Sequence, residues 1–130
     1  MIREFMDYLA AAFPEGIYNG FAPEGAPFPY LTVEQTDNTY DEGLDAVAAN
    51  SRVAEFDITA WALDRNTLAV LLERLRLRVN RVGEVFDLWG VSVGCMKITG
   101  EDADEEYELS EGEKVVYSHV ARVYIHYERK

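Results

Sequence analysis

Residues Ala22–Val33 read Ala-Pro-Glu-Gly-Ala-Pro-Phe-Pro-Tyr-Leu-Thr-Val and join a stiff loop directly to a β-strand. The three prolines of this stretch each fix φ at about −65° and lack a backbone donor, so the loop is neither a helix nor a central strand. A glycine lets the chain turn between them, and a β-branched and aromatic run typical of a strand follows. Because a preorganised loop loses little entropy on docking, we expect this loop to form an interface. The expected interface residues are Pro23, Gly25, Pro27, Pro29 and Tyr30.

Two helices are predicted from apolar residues that recur at i, i+3, i+4 and i+7. The first begins near Ile2 and ends before Pro14, and the second follows Asp64 as its N-cap and stops before Gly83. Each helix has one apolar face that must be covered. Three arginines share a flank of the second helix at i, i+4 and i+7 spacing, and we expect this strip to form a subunit interface. They are Arg74, Arg78 and Arg81.

Strand alternation appears at 54–62 and, over a longer stretch, at 115–128, while 91–99 supplies a further strand and 110–113 reads as a hairpin turn. With the strand that begins at Tyr30, the order is α-β-β-α-β-β. We therefore predict an α+β domain with an antiparallel four-stranded sheet and two helices packed on one face. A chain of 130 residues fits a single domain that spans residues 1–130.

The charge of the chain is large and uneven. The formal net charge is −12, from 24 acidic and 12 basic residues, and eight of the acidic residues lie in 101–113. Five of the basic residues, all arginines, lie in 65–81. Copies with separate acidic and basic regions can meet head to tail, with opposite charges steering the encounter. The alternative is that both regions are solvated faces.

The connection at about 34–50 is long for a compact domain, and such loops are often functional or mobile. We predict a hairpin arm that reaches a neighbouring subunit or the wall of a channel. The alternative is a surface loop without fixed structure. The acidic residues expected on the arm or lining a lumen are Asp37, Asp41, Glu42 and Asp45.

Catalytic, metal and membrane functions find little support. Cys95 is the only cysteine, and the odd separation of His119 and His126 puts the two histidines on opposite faces of a regular strand. The segment 102–113 imitates a calcium loop, but Tyr107 occupies the position where a glycine makes the sharp turn. We expect no catalytic, metal or cofactor site and no enzyme activity. No apolar run approaches the roughly 18 residues that span a bilayer, so we also expect no membrane segment.

Several features occur together in a recognisable order. Ile17-Tyr18 precedes the loop Ala22–Tyr30, a strand then ends at Trp61, a helix begins near Asn66, and a long strand covers Val115–Tyr127. In this order and spacing, nearly the whole chain resembles the tail-completion or tail-terminator proteins of long-tailed phages and prophages. The segments 36–50 and 102–108 depart from the family's pattern.

The resemblance implies a structural virion protein that is not an enzyme. Such a subunit forms a homo-oligomeric ring, expected to be a hexamer, on the head-proximal end of the tail tube. The ring stops tube growth and connects the tube to the neck or head-completion protein, in the virion tail and, during assembly, in the host cytoplasm. DNA would pass through it without specific binding. An acidic lumen suits that role because it repels the phosphate backbone.

A second class of function also fits the composition. A small and strongly acidic protein can act as an immunity or DNA-mimic protein that occupies the basic cleft of an enzyme. The acidic clusters favour this alternative, whereas the arginine strip argues against it.

Overall fold

The computed structural model describes residues 1–40, 51–81, 86–88, 90–102, 104–109 and 114–129. These residues form two helices and seven strands. In chain order the elements are α1 (Ile2–Ala10), β1 (Ile17–Asn19), β2 (Tyr30–Tyr40), β3 (Ser51–Ala62), α2 (Arg65–Val79), β4 (Phe86–Leu88), β5 (Val91–Glu101), β6 (Glu105–Leu109) and β7 (Lys114–Arg129).

Both helices form where the apolar spacing predicts them. Helix α1 buries Phe5, Tyr8 and Leu9. Helix α2 is capped by Asp64, whose carboxylate accepts a hydrogen bond of 2.7 Å from the backbone N–H of Thr67. This bond satisfies one of the unpaired donors of the first turn, as expected for an N-cap. The buried face of α2 consists of Leu68, Leu71, Leu72, Leu75 and Val79.

The seven strands form one sheet with the order β1-β2-β3-β7-β5-β4, and β6 also pairs with β7. Strand β7 lies at the centre. It pairs with β3 along one edge, and along the other edge with β5 and then β6, which follow one another past a bend at 102–104. All these pairings are antiparallel, but β1 is parallel to β2. The predicted α+β class and the two helices are confirmed, whereas the four-stranded antiparallel sheet is wrong, because the sheet is seven-stranded and mixed.

The difference has a physical origin. Strands β1 and β4 have three residues each, which is too short for a period of two to stand out. The parallel pairing of β1 depends on a tertiary contact with β2. The bend at 102–104 divides what reads as one acidic segment into the end of β5 and the start of β6.

The sheet is strongly curled into a half-barrel. Helix α1 contacts both β1 and β4, the first and last strands of the sheet order, so it bridges the opening of the curl. The concave side holds one apolar core to which both helices contribute. On β3 the core residues are Ala54, Phe56, Ile58, Ala60 and Ala62, the face that the alternation predicts. Among the described helices, none combines the length and the apolar character that crossing a bilayer requires.

Candidate interaction surface

The arginines on α2 and just after its C-terminal end divide between two flanks of the helix. Arg74, Arg78 and Arg81 lie toward α1, and we call them the α1-facing arginines. The guanidinium of Arg78 lies 3.8 Å from the ring centroid of Tyr8 and donates to the Tyr8 carbonyl at 2.8 and 3.2 Å. The Tyr8 hydroxyl in turn donates to the Arg78 carbonyl at 2.7 Å. This reciprocal contact fastens the end of α2 to α1.

The other two α1-facing arginines also contact their own chain. Arg74 Nη1 donates to both carboxylate oxygens of Glu15 at 2.7 and 2.8 Å. Arg81 Nη1 donates to the Tyr8 hydroxyl at 3.0 Å, and its guanidinium lies 5.0 Å from the ring centroid of Phe86. The predicted strip therefore exists, and its charge is used to hold α2 against α1 and β4. Its role in a subunit interface stays a prediction.

Arg65 and Arg76 lie toward the β5–β6 segment, and we call them the hairpin-facing arginines. Arg65 pairs with Glu106, and Arg76 donates to Glu101 at 2.7 and 3.2 Å. The helix and the acidic segment are thus complementary within one chain. Sequence reasoning missed this pairing because it joins residues more than 20 positions apart.

A histidine fixes the bend between β5 and β6. The ring nitrogens of His119 lie 2.7 Å from Glu101 Oε1 and 2.6 Å from Asp104 Oδ1, and the residue is buried. The hydrogen bond from Arg76 lowers the pKa of Glu101 against the opposing effect of burial, with a further contribution from His119. The same contact with Glu101 raises the pKa of Arg76. These contacts hold Glu101 and Asp104 beside His119.

The Pro/Gly loop lies at the β1 end of the sheet. Pro23, Gly25 and Pro27 are exposed, whereas Pro29 and Tyr30 are half-buried. Gly25 has a φ of +83°, a conformation that L side chains rarely adopt, so the sequence places a glycine where the turn requires one. The loop's place in a subunit interface stays a prediction, but its exposed residues are accessible.

Aromatic side chains run from this loop across the sheet. Phe28 stacks on Tyr30 with ring centroids 4.9 Å apart, and Tyr18 meets Tyr30 edge to face at 5.5 Å. Tyr30 is directly opposite Trp61 in the β2–β3 register, with ring centroids 6.4 Å apart. We call these four residues the aromatic shelf. Phe21, next to the loop, is 84% exposed.

The predicted arm lies partly outside the described residues. Residues 34–40 belong to β2, where Asp37 is opposite Glu55 of β3, and Tyr40 is opposite Arg52. Strands β2 and β3 therefore form a long antiparallel pair. Asp41, Glu42 and Asp45 lie outside the described residues, so the arm and the acidic lumen stay predictions.

A cleft of about 170 Å³ opens on the outer face of the sheet, where the aromatic shelf meets the bend at 102–104. Trp61 and Thr59 of β3 line one side, and Asp102 and Glu105 line the other. Its remaining lining residues, Ser118, His119 and Val120, come from β7. We call it the Trp61 cleft. Sequence reasoning missed it, because its walls come from segments more than 40 residues apart.

Metal-binding geometry does not arise in the part of the chain that the structure describes. No three His, Cys, Asp or Glu side chains there converge on a point that could hold a metal ion. The segment 102–113, which imitates a calcium loop in sequence, contains strand β6 and residues outside the described ranges. His119 contacts carboxylates on both sides of its ring, and His126 lies beside Gly94 on the outer face.

Comparison with known proteins gives a match in structure alone. No family model and no curated protein matches this sequence. The fold is similar to that of a chain in the virion of a native gene transfer agent (GTA) particle, with a TM-score of 0.51 and 13% sequence identity. The match covers 91% of this chain and 84% of that chain. At this identity the likeness shows a shared fold.

Proposed function

We propose that this chain is a structural subunit of a phage-like particle and is not an enzyme. The observation that carries the proposal is the shared fold with a chain of a gene transfer agent virion, which extends over 91% of this chain. The proposal is supported independently by the resemblance of the sequence to tail-completion proteins.

Within the particle, the role we propose is that of a tail terminator or tail-completion subunit. It would form a ring, expected to contain six copies, that caps the tail tube and connects it to the neck. A ring requires two different surfaces on each protomer, since its contacts are heterologous. The exposed Pro/Gly loop at the β1 edge and the predicted arm between β2 and β3 are the two surfaces we propose.

Tube reconstitution tests this role. Purified tail-tube protein from the same genome is polymerised with and without this chain, and tube lengths are measured by electron microscopy. We expect shorter tubes that carry a ring at one end, and a six-fold mass for the ring by native mass spectrometry. Tubes of unchanged length with no bound ring would refute the terminator role. Binding along the whole tube would indicate another structural role in the particle.

The immunity or DNA-mimic role is the second candidate, and one observation favours it. The arginine strip, which argues against an acidic decoy, is engaged within the chain: Arg74 pairs with Glu15 and Arg78 with Tyr8. These arginines are therefore less available to oppose the binding of a basic cleft. Inhibition of a nuclease by this chain in the absence of any particle protein, combined with unchanged tubes in the reconstitution, would favour this alternative.

A further inference from the structure

We infer that His119 is a pH-sensitive switch that holds the bend between β5 and β6. The doubly protonated ring joins Glu101, at the end of β5, to Asp104, which precedes β6. The neutral ring releases Asp104. This change of conformation goes beyond the proposed role in a particle.

Both ring nitrogens of His119 face carboxylate oxygens. Nε2 lies 2.7 Å from Glu101 Oε1, and Nδ1 lies 2.6 Å from Asp104 Oδ1. An ionised carboxylate only accepts hydrogen bonds, and a neutral imidazole has a single N–H to donate. The two contacts together therefore require a proton on each ring nitrogen, which is the imidazolium form.

The ring lies where water has little access. The side chain of His119 is 9% exposed. When one ring nitrogen loses its proton, it presents a lone pair to a carboxylate oxygen, and the attractive contact becomes repulsive. Histidine ordinarily makes this change of charge between about pH 5 and 8. One of the two contacts is then given up.

The two carboxylates are not held equally. Glu101 also accepts hydrogen bonds from Arg76 at 2.7 and 3.2 Å, and its side chain is 28% exposed. The side chain of Asp104 is 51% exposed and lies on the bend, so water can replace the ring as its partner. The neutral ring should therefore keep its Nε2–H bond to Glu101 and lose the contact between Nδ1 and Asp104.

Carboxylates predominate around His119. Strand β5, the bend and strand β6 contribute the acidic side chains Glu101, Asp102, Asp104 and Glu105. Helix α2 contributes the guanidinium of Arg76, and β3 places Ala60, which does not titrate, opposite His119. The second ring proton offsets negative charge at the bend, and its loss leaves Asp104 among like charges.

Strand β6 depends on the bend for its position. It has five residues and, among the described strands, pairs with β7 alone. Arg65 of α2 pairs with Glu106 of β6, but both side chains are more than half exposed, so this contact contributes little. Release of Asp104, the residue directly before β6, should therefore loosen β6 and leave α1 in place.

NMR on the whole ¹⁵N-labelled chain tests the switch. Ring ¹⁵N shifts show which nitrogen of His119 carries a proton, and a His126→Gln variant identifies the His119 signals. Amide exchange, expressed as protection factors, measures the opening of β6. A titration from about pH 5 to about pH 8.5 keeps the carboxylates ionised. We expect Nδ1 to lose its proton and β6 protection to fall about fivefold over the same pH interval, with α1 unchanged.

Two aspartate variants locate the effect. Asp104→Asn supplies an amide N–H that can donate to the neutral ring, so the fall in β6 protection should disappear. Asp102→Asn makes the same change two residues away, at a carboxylate that lies toward Arg122, and should keep the fall. Both aspartates are exposed, so neither variant disturbs the core.

Four results would overturn the inference. They are constant β6 protection while the ring titrates, loss of the proton from Nε2, a fall that persists in Asp104→Asn, and an equal fall in α1 and β6, which would show that the ring stabilises the whole fold. None of these measurements involves tube assembly, so the inference and the proposed particle role can fail separately.

Discussion

The two flanks of α2 carry the same residue type but differ in the main partners of their arginines. The α1-facing arginines all lie near aromatic rings, and Arg78 also donates to the Tyr8 carbonyl, while Arg74 adds an ion pair with Glu15. The hairpin-facing arginines pair with carboxylates, and the side chains of Arg65 and Arg76 are 69% and 45% exposed. Packing and a fixed carbonyl are insensitive to salt and acid, whereas exposed ion pairs are screened and titrate. One flank therefore stabilises the fold, and the other positions a hairpin.

The largest expected effect is at Arg78. Replacing it by alanine removes the contact with the Tyr8 ring and leaves the Tyr8 carbonyl without its charged donor, so we expect a loss of about 2 kcal/mol in the free energy of unfolding. Urea denaturation at neutral pH measures this value.

Arg78→Lys is the matched control for this change. It keeps the charge but loses the planar fork, so its stability should lie between that of the alanine variant and that of the unmodified chain. An alanine variant as stable as the unmodified chain would remove the distinction between the two flanks.

A smaller effect is expected at Glu101, which joins Arg76 to His119. Glu101→Gln keeps the shape but removes the charge, and partial exposure limits the loss to about 1 kcal/mol or less. Hydrogen exchange should become faster in β6 and remain unchanged in α1. Equal changes in α1 and β6 would show that the network supports the whole fold and not the hairpin alone.

Acid should affect the Glu101 network and the Arg78–Tyr8 contact differently. The folded-state pKa of Glu101 is lowered from 4.5, first by its hydrogen bond with Arg76, so its stabilising contribution is complete above about pH 4.5 and is lost as the pH falls through the lowered value. We therefore expect exchange in β6 to accelerate with acid before exchange at the Arg78–Tyr8 contact does. The Glu101→Gln variant should lack this early acid-dependent step. Its presence in that variant would assign the step to another carboxylate.

The smallest effect is expected at Arg65. Both side chains of its ion pair with Glu106 are more than half exposed, and pairs of this kind contribute little that can be measured. Arg65→Ala should leave the urea midpoint within experimental error, although its guanidinium also lies 5.3 Å from the Tyr117 ring. A midpoint shift as large as that of Arg78→Ala would show that cation–π contact, and not burial, decides the difference between the flanks.

Much of the fold could be predicted from local signals. The Asp64 cap, the apolar face of α2 and the alternation of β3 each depend on spacing within a few residues, and all three are present. The hairpin of β6 and β7 also follows the predicted pattern, with Leu109 opposite Lys114. The spacing of apolar residues within one helix or strand predicts which of its faces is buried.

The rest depends on contacts that spacing does not report. The sequence shows that Arg74, Arg78 and Arg81 share a flank, but not that α1 lies against it. The walls of the Trp61 cleft come from β3 and from residues that follow β5, so no short stretch of the sequence contains them all. The composition predicts assembly steered by charge if the arginines are free to contact another molecule. In the structure, the arginines of α2 already contact residues of their own chain.

The place of β7 in the sheet has a consequence for how the chain folds. Strand β7 follows all the other described strands in the sequence, yet it pairs with β3, β5 and β6. Until its 16 residues are in place, the sheet is divided into separate pieces with open edges. Such non-local pairing slows folding and prolongs the exposure of β3 and β5 to other chains. Yield from expression should therefore depend strongly on temperature and on how fast the chain is made.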